Sequence, residues 1–310
     1  MRIKFYGVRG STPVPLTPKI YKKKVQNILE FVIKNFDMIK NSSNPIAEIP
    51  QDLASIYGGN TSCVYVESDK SAMVLDCGTG IRNLVFRSDD ESYKEIDILF
   101  SHFHHDHISG LPFFRTLYEA DVTLNFYSVH RELEASLIRY FDSTFFPVQF
   151  LKTPAKKNYV YLNQSEKYRI RNFDVEAIRL NHPNGSYGYR ITDLKGKSIV
   201  YATDCEYPSN SDYKKWIEFY RNANLLIFDS QYTAKDMKKF FDYGHSTPSI
   251  GVDIAVSSNV EKLALFHHDP QYSEKQLNDL LNSAKAYRDK KYGESALDII
   301  ISNEGMELSI

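Results

Sequence analysis

Ser101-His102-Phe103-His104-His105-Asp106-His107 gathers four histidines and an aspartate within six positions. It follows directly on Ile96-Asp97-Ile98-Leu99-Phe100, an apolar run that reads as a buried strand. Neutral imidazoles and carboxylates are the ligands that borderline cations such as Zn²⁺, Mn²⁺ or Fe prefer. A loop at a strand end can turn several of them inward together, whereas a helix would spread His102, His104, Asp106 and His107 around its circumference. The spacing therefore predicts a metal-binding loop.

Further candidates stand in turn-like settings after apolar runs. They are His182 in Leu180-Asn181-His182-Pro183, Asp204 after Tyr201-Ala202-Thr203, and Asp229 after Ile227-Phe228. His245 in Gly244-His245-Ser246-Thr247, and His267 or His268 after Leu263-Ala264-Leu265-Phe266, complete the set. Each alone is ordinary, but of the nine histidines only His130 lacks such a setting. A catalytic zinc keeps about three protein ligands and an open position, so this inventory is enough for two ions. Two ions ~3.5–4 Å apart can share a bridging hydroxide and clamp the attacking and leaving oxygens of a phosphoryl centre.

The elements that must position these residues follow from periodicity. Residues 2 to 8 alternate as a strand and end in the Gly7-Val8-Arg9-Gly10-Ser11-Thr12-Pro13 turn. From 19 to 40 apolar residues recur at helical spacing, which predicts one amphipathic helix whose apolar face packs on the protein's own core. Strands are expected at 62–67, 72–75, 96–100, 123–127, 175–180, 187–192, 198–203 and 225–228, with closing strands at 297–301 and 306–310. Helices are expected at 111–118, from 130, at 249–257 and at 274–290, and 143–165 reads as an irregular, aromatic-rich loop. Tyr187, Tyr189, Phe145 and Phe146 are read as core packing rather than as stacking partners for a base.

Composition bounds the alternatives. The 310 residues are expected to form a single domain, with 19–40 as a helical insertion and 143–165 as a loop insertion. A formal net charge of -1 offers no global attraction to a polyanion, and Lys22-Lys23-Lys24 and Lys156-Lys157 are short, so no stable nucleic-acid partner is expected. Cys63, Cys77 and Cys205 form no CxxC pair, which fits a reducing compartment. With no 18-residue apolar run and a strand-like start, the expectation is a soluble cytoplasmic protein without a membrane partner.

The order Leu75-Asp76-Cys77-Gly78-Thr79-Gly80, HxHxDH at 102–107, His182, Asp204 and a strand-terminal His267 resembles the metallo-β-lactamase-fold hydrolases over most of the chain. That resemblance implies an α/β fold, a four-layer αββα sandwich. It also implies two divalent metal ions, Zn or Mn, with His102, His104 and His182 on one, Asp106, His107 and His267 on the other, and Asp204 bridging. His105 would point away. His267 is preferred to His268 because the family's ligand directly follows such a strand, and adjacent strand residues face opposite ways.

Gly244-His245-Ser246-Thr247 resembles the HST motif of tRNA 3′-processing endonucleases and related phosphodiesterases. By that resemblance His245 is the general acid with Asp229 as its partner, and Asp106 also serves catalysis; His245 as a cap of the following helix is the structural alternative. Phe228-Asp229 replaces the family's His-Glu, and no long Gly- and Lys-rich arm is visible. The pattern from Gly7 to Pro270 looks closer to bacterial members that open small phosphodiesters. The expectation is a dinuclear phosphodiesterase acting on a 3′,5′-cyclic nucleotide or similar diester, in which a metal-bridging hydroxide attacks phosphorus. A tRNA 3′-end endonuclease is the alternative, followed by a lactone or thioester hydrolase. Homodimerisation is a further expectation from relatives.

Overall fold

Alternation along single strands decides the layering. In β2 (Cys63–Ser68) Val64 and Val66 join one apolar cluster while Cys63 and Tyr65 join another. The same split recurs in β11 (Leu225–Asp229), where Leu225 and Ile227 face one cluster and Leu226 and Phe228 another. A strand with both faces apolar must be covered on both sides. The shared middle cluster draws on Ile3, Val64 and Leu75 from one sheet and Val175, Ile199 and Ile227 from the other, so two sheets pack face to face with helices outside. This is the four-layer αββα arrangement.

The computed structural model describes residues 1–54, 56–85, 94–208, 213–293 and 295–310. One seven-stranded sheet contains β1 (Arg2–Gly7), β2, β3 (Ser71–Leu75), β4 (Glu95–Leu99), β5 (Thr123–Ser128), β6 (Lys156–Tyr161) and β14 (Glu307–Ser309), in the order β14-β1-β2-β3-β4-β5-β6. The other contains β7 (Lys167–Ile170), β8 (Phe173–Leu180), β9 (Ser186–Asp193), β10 (Ser198–Ala202), β11, β12 (Lys262–Phe266) and β13 (Asp298–Ile301), in the order β13-β12-β11-β10-β9-β8-β7. β3 to β6 run parallel, as do β10 to β13. The helices are α1 (Pro18–Lys34), α2 (Phe36–Asn41), α3 (Gln51–Ala54), α4 (His105–Ile108), α5 (Leu133–Tyr140), α6 (Lys214–Tyr220), α7 (Ala234–Met237), α8 (Pro248–Ser257) and α9 (Glu274–Tyr292). Residues following β3, β4, β8, β10, β11 and β12 all emerge at strand C-terminal ends, where open parallel sheets collect their sites.

Four expectations need correction. The helix at 19–40 is two helices, because Asn35 leaves helical geometry and its side-chain amide donates to the Phe31 carbonyl at 2.8 Å. Thr17 caps α1 and Pro18 opens it, yet none of its residues is buried; its outer apolar stripe faces solvent rather than core, and Ile33 is 74% exposed. Residues 111–118 form two 3₁₀ turns separated by an extended Phe114, whose ring is buried. The expected loop at 143–165 contains β6, an edge strand half-buried along most of its length and so without alternation to read. β7 and α6 were not anticipated. Among the described residues no helix is long and apolar enough to cross a membrane.

Burial predicts where substitution matters. Ile227→Ala, in the middle layer, is expected to cost about 2–5 kcal/mol of unfolding free energy. Ile33→Ala on the exposed stripe of α1 is expected to change it by less than about 0.5 kcal/mol. Urea denaturation of both variants checks the contrast.

Candidate metal centre

His102 and His104 arrive on extended backbone after β4, and the chain then turns into α4, which brings in Asp106 and His107. The motif is thus a loop only in its first half; one helical turn supplies the rest. His182 follows β8, Asp204 follows β10 and His267 directly follows β12. Asp204 and His267 adopt left-handed backbone conformations, with φ 54° and 61°. Such geometry is uncommon outside glycine, though Asp and His adopt it more readily than most residues, and it recurs at functional sites.

The seven side chains meet. Asp204 Oδ1 lies 3.1 Å from His107 Nε2 and 3.2 Å from His267 Nε2, while its Oδ2 lies 3.6 Å from both His102 Nε2 and His182 Nε2. His182 Nε2 is 3.0 Å from His104 Nδ1, and Asp106 Oδ2 is 3.1 Å from His267 Nε2. Two groups flank Asp204, His102 with His104 and His182, and Asp106 with His107 and His267, with one of its oxygens facing each; a third possible grouping joins Asp204 and His267 to Asp229 and His245.

The donor set fits divalent cations. Tetrahedral ligands about 2.0–2.2 Å from an ion stand about 3.3–3.6 Å apart, close to the separations seen. His102 Nε2 is buried with no hydrogen-bond partner, and His107 Nε2 and His267 Nε2 face each other at 3.3 Å, so imidazole lone pairs converge. Burying such groups unpartnered is unfavourable unless a cation satisfies them.

Outer contacts fix which nitrogen faces inward. His107 Nδ1 donates to Asp76 at 2.7 Å, His182 Nδ1 donates to the Gly244 carbonyl at 2.9 Å, and His102 Nδ1 meets Ser101 Oγ at 3.0 Å. Asp76 also accepts from the Ser101 N–H and Oγ and from the Tyr201 hydroxyl. Gly244 has φ 82°, and an added Cβ would stand 2.1 Å from His182 Nδ1, so glycine is required there. The Glu206 carboxylate accepts from the Gly244 N–H and its own N–H donates to Asn181, joining the two loops.

Beside this centre His245 Nδ1 donates to Asp229 at 2.8 Å. Burial opposes a charge on His245, but Asp229 prevails and pushes its pKa up to about 9. Thr247, not His245, caps α8. Burial likewise opposes charge on Asp106 and Asp204, yet the neighbouring histidines hold both carboxyls well below the usual range. His105 points outward, with Nδ1 3.0 Å from the Tyr140 hydroxyl. His268 turns away from the cluster and donates to the Ser302 carbonyl at 2.9 Å; burial lowers its pKa to about 3, so it stays neutral.

Sequence reasoning gave no role to Asp76 or to the turn after β1. Ser11 donates its backbone N–H to Asp106 Oδ2 at 2.7 Å, and an added Cβ at Gly10 would stand 2.6 Å from the His267 ring. A lone acid ending β3 was the available signal for Asp76; nothing local pointed to a backbone donor 95 residues away from its acceptor.

A family model described as a beta-lactamase superfamily domain matches residues 72–268. A curated relative, ribonuclease Z of Picrophilus torridus, is 27% identical over 278 residues, covering 76% of this chain and 88% of the relative. Two solved structures share the fold. Human tRNase Z, short form, aligns with TM-score 0.62 at 17% identity over 100% of this chain and 99% of that one. Unliganded yeast PDE1 aligns with TM-score 0.66 at 14% identity, again over 100% and 99%.

Asp76→Ala is expected to weaken divalent metal binding roughly 10- to 100-fold by releasing His107, whereas His105→Ala leaves it unchanged. Titration of the metal-stripped protein with Mn²⁺ or Zn²⁺ measures both.

Proposed function

This chain belongs to the beta-lactamase superfamily, and on that premise we propose that it is a metal-dependent phosphodiesterase that cuts a P–O bond in a ribonucleotide diester. His102, His104 and His182 would hold one divalent cation and Asp106, His107 and His267 a second, with Asp204 between them. Such cations supply Lewis acidity toward the phosphoryl group and make water nucleophilic at neutral pH.

The observation that carries the reading is the His245–Asp229 pair beside the cluster. With Nδ1 committed to Asp229, His245 presents Nε2 as a proton donor, and its raised pKa keeps that proton in place at neutral pH. An alkoxide leaving a phosphodiester needs that proton. Asp229 is the positioning residue: it fixes the ring and stabilises its charge, and its Oδ1 in turn accepts from the Gln231 N–H at 3.0 Å. Ser11 holds Asp106 through its backbone, which restrains the adjoining ligand.

For the substrate, the relative named ribonuclease Z favours an endonuclease acting near an RNA 3′ end over the cyclic nucleotide first expected. A small diester remains the second reading, supported by the net charge of -1 and the lack of a Gly- and Lys-rich arm in the sequence. Precursor tRNA, 3′,5′-cyclic AMP and bis(p-nitrophenyl) phosphate, each tested with Mn²⁺ and Zn²⁺, separate the two. Consumption of a thioester or lactone with every diester left intact would overturn both.

His245→Ala is expected to lower kcat roughly 10²- to 10⁴-fold on ribonucleotide diesters, and much less on bis(p-nitrophenyl) phosphate, whose leaving group needs little protonation. The pH profile carries a sign. The acid form of His245 exists below about 9, so rate on the natural leaving group falls as pH rises through that value. Asp229→Asn removes the largest of the influences that raise this pKa, leaving Asp204 and Asp106 alone against burial, so the alkaline limb of a kcat profile moves toward acid.

A further inference from the structure

Beside the metal centre lies a second concavity that the proposed chemistry does not use. Its volume is about 750 Å³, within the range of small-molecule sites. Phe103, Phe113, Tyr140 and Phe146 line it, with Arg139 and His105 contributing charge and polarity. Phe113 and Phe146 stand edge to face at 5.8 Å, and Phe113 is 65% exposed. The expectation that Phe145 fills the core is corrected, since it is 84% exposed and lines this cavity; Phe146 lines the cavity too but packs on the buried cluster as expected, and Tyr189 is fully buried between the sheets.

Phe113 and Phe145 are largely exposed while Phe103, Tyr140 and Phe146 are half-buried against the apolar cluster behind them, so the hollow offers firmly seated aromatic walls to a flat group. A polar observation points the same way. Ser109 lines the cavity, is only 7% exposed, and its Oγ has no hydrogen-bond partner. The His105 and Tyr140 pair adds a second hydrogen-bonding edge. Aromatic walls with a few convergent polar groups suit a planar heteroaromatic ring. His105 also joins the cavity to the centre, since its ring forms a wall while its neighbours His104 and Asp106 turn to the metal-ligand cluster.

We propose that this cavity binds a nucleobase adjoining the scissile phosphate. The inference rests on the phosphodiesterase reading for its orientation, and names the part of the substrate that reading leaves unassigned. Stacking on aromatic side chains supplies the affinity, and Ser109 and His105 meet the edge of the ring.

The test uses the Mn²⁺-loaded enzyme with two variants, Phe113→Ala at an exposed position and Phe146→Leu, which keeps apolar bulk without a flat face. Adenosine binding is measured by calorimetry, and cleavage is measured on the dinucleotide ApA and on the same diester with either base removed. The expected result is adenosine binding weakened roughly 5- to 150-fold in each variant, a matching rise in KM for ApA, and unchanged cleavage of one of the abasic diesters. Equal loss on all substrates would show a structural role and overturn the proposal. Cleavage of ApA without detectable adenosine binding, and with no effect of either variant, would also overturn it while the phosphodiesterase reading stands. Variant-sensitive adenosine binding with no diester cut would uphold the base site and remove the phosphodiesterase reading instead.

Discussion

The arrangement depends on one carboxylate held between two groups of imidazoles. Asp204 directs one oxygen toward His107 and His267 and the other toward His102 and His182. Such a placement cannot be local, because its partners arrive from both sheets. The end of β10 delivers the aspartate, the loop after β4 delivers two histidines, and α4 delivers another with Asp106. Whatever fixes the two sheets relative to each other therefore fixes the geometry of the centre.

Hydrogen bonds across the sheet interface do this close to the site. The Tyr201 hydroxyl, from β10, donates to Asp76 at the end of β3, and the Tyr189 hydroxyl, from β9, donates to the Phe100 carbonyl at 2.7 Å. The Tyr187 N–H donates to the Ser101 carbonyl at 3.0 Å. Asp76 then holds His107, so one buried acid serves both the packing of layers and the direction of a ligand nitrogen. Burial and Asp76 together raise the Tyr201 pKa well above its usual value, so its hydroxyl remains a neutral donor throughout the working pH range. Buried polar networks of this kind stabilise one arrangement only when every member is partnered. At the centre His102 Nε2 is left without a partner and the His107 and His267 Nε2 lone pairs face each other, which is where a cation belongs.

Much of this was legible because its signals were contiguous or terminal. HxHxDH occupies six successive residues, and each remaining member of the cluster stands just past the end of an apolar strand, so strand periodicity and residue type together marked them. The distinction between His267 and His268 followed from strand alternation and a family resemblance, and the structure places them on opposite sides. Less legible were features set by tertiary context. Asp76 gained its importance from Tyr201 and His107, and Ser11 acts through a backbone N–H that carries no sequence signature. β6 lacked alternation because neither face is deeply buried, and α1 looked like a core helix although its apolar stripe is exposed. The aromatic cavity was hidden for a similar reason, since the spacing of Phe113, Tyr140 and Phe146 in sequence says nothing about a shared wall.

The membership in the beta-lactamase superfamily and the convergence of the cluster leave the number of cations as the decisive quantity. Anomalous diffraction from crystals of the Mn²⁺- or Zn²⁺-loaded protein, recorded on both sides of the metal absorption edge, measures it directly. Two peaks roughly 3.5–4 Å apart, one beside each oxygen of Asp204, are the expected outcome. A single peak remote from Asp204, or none in fully loaded protein, would show that the carboxylate does not bridge a metal pair.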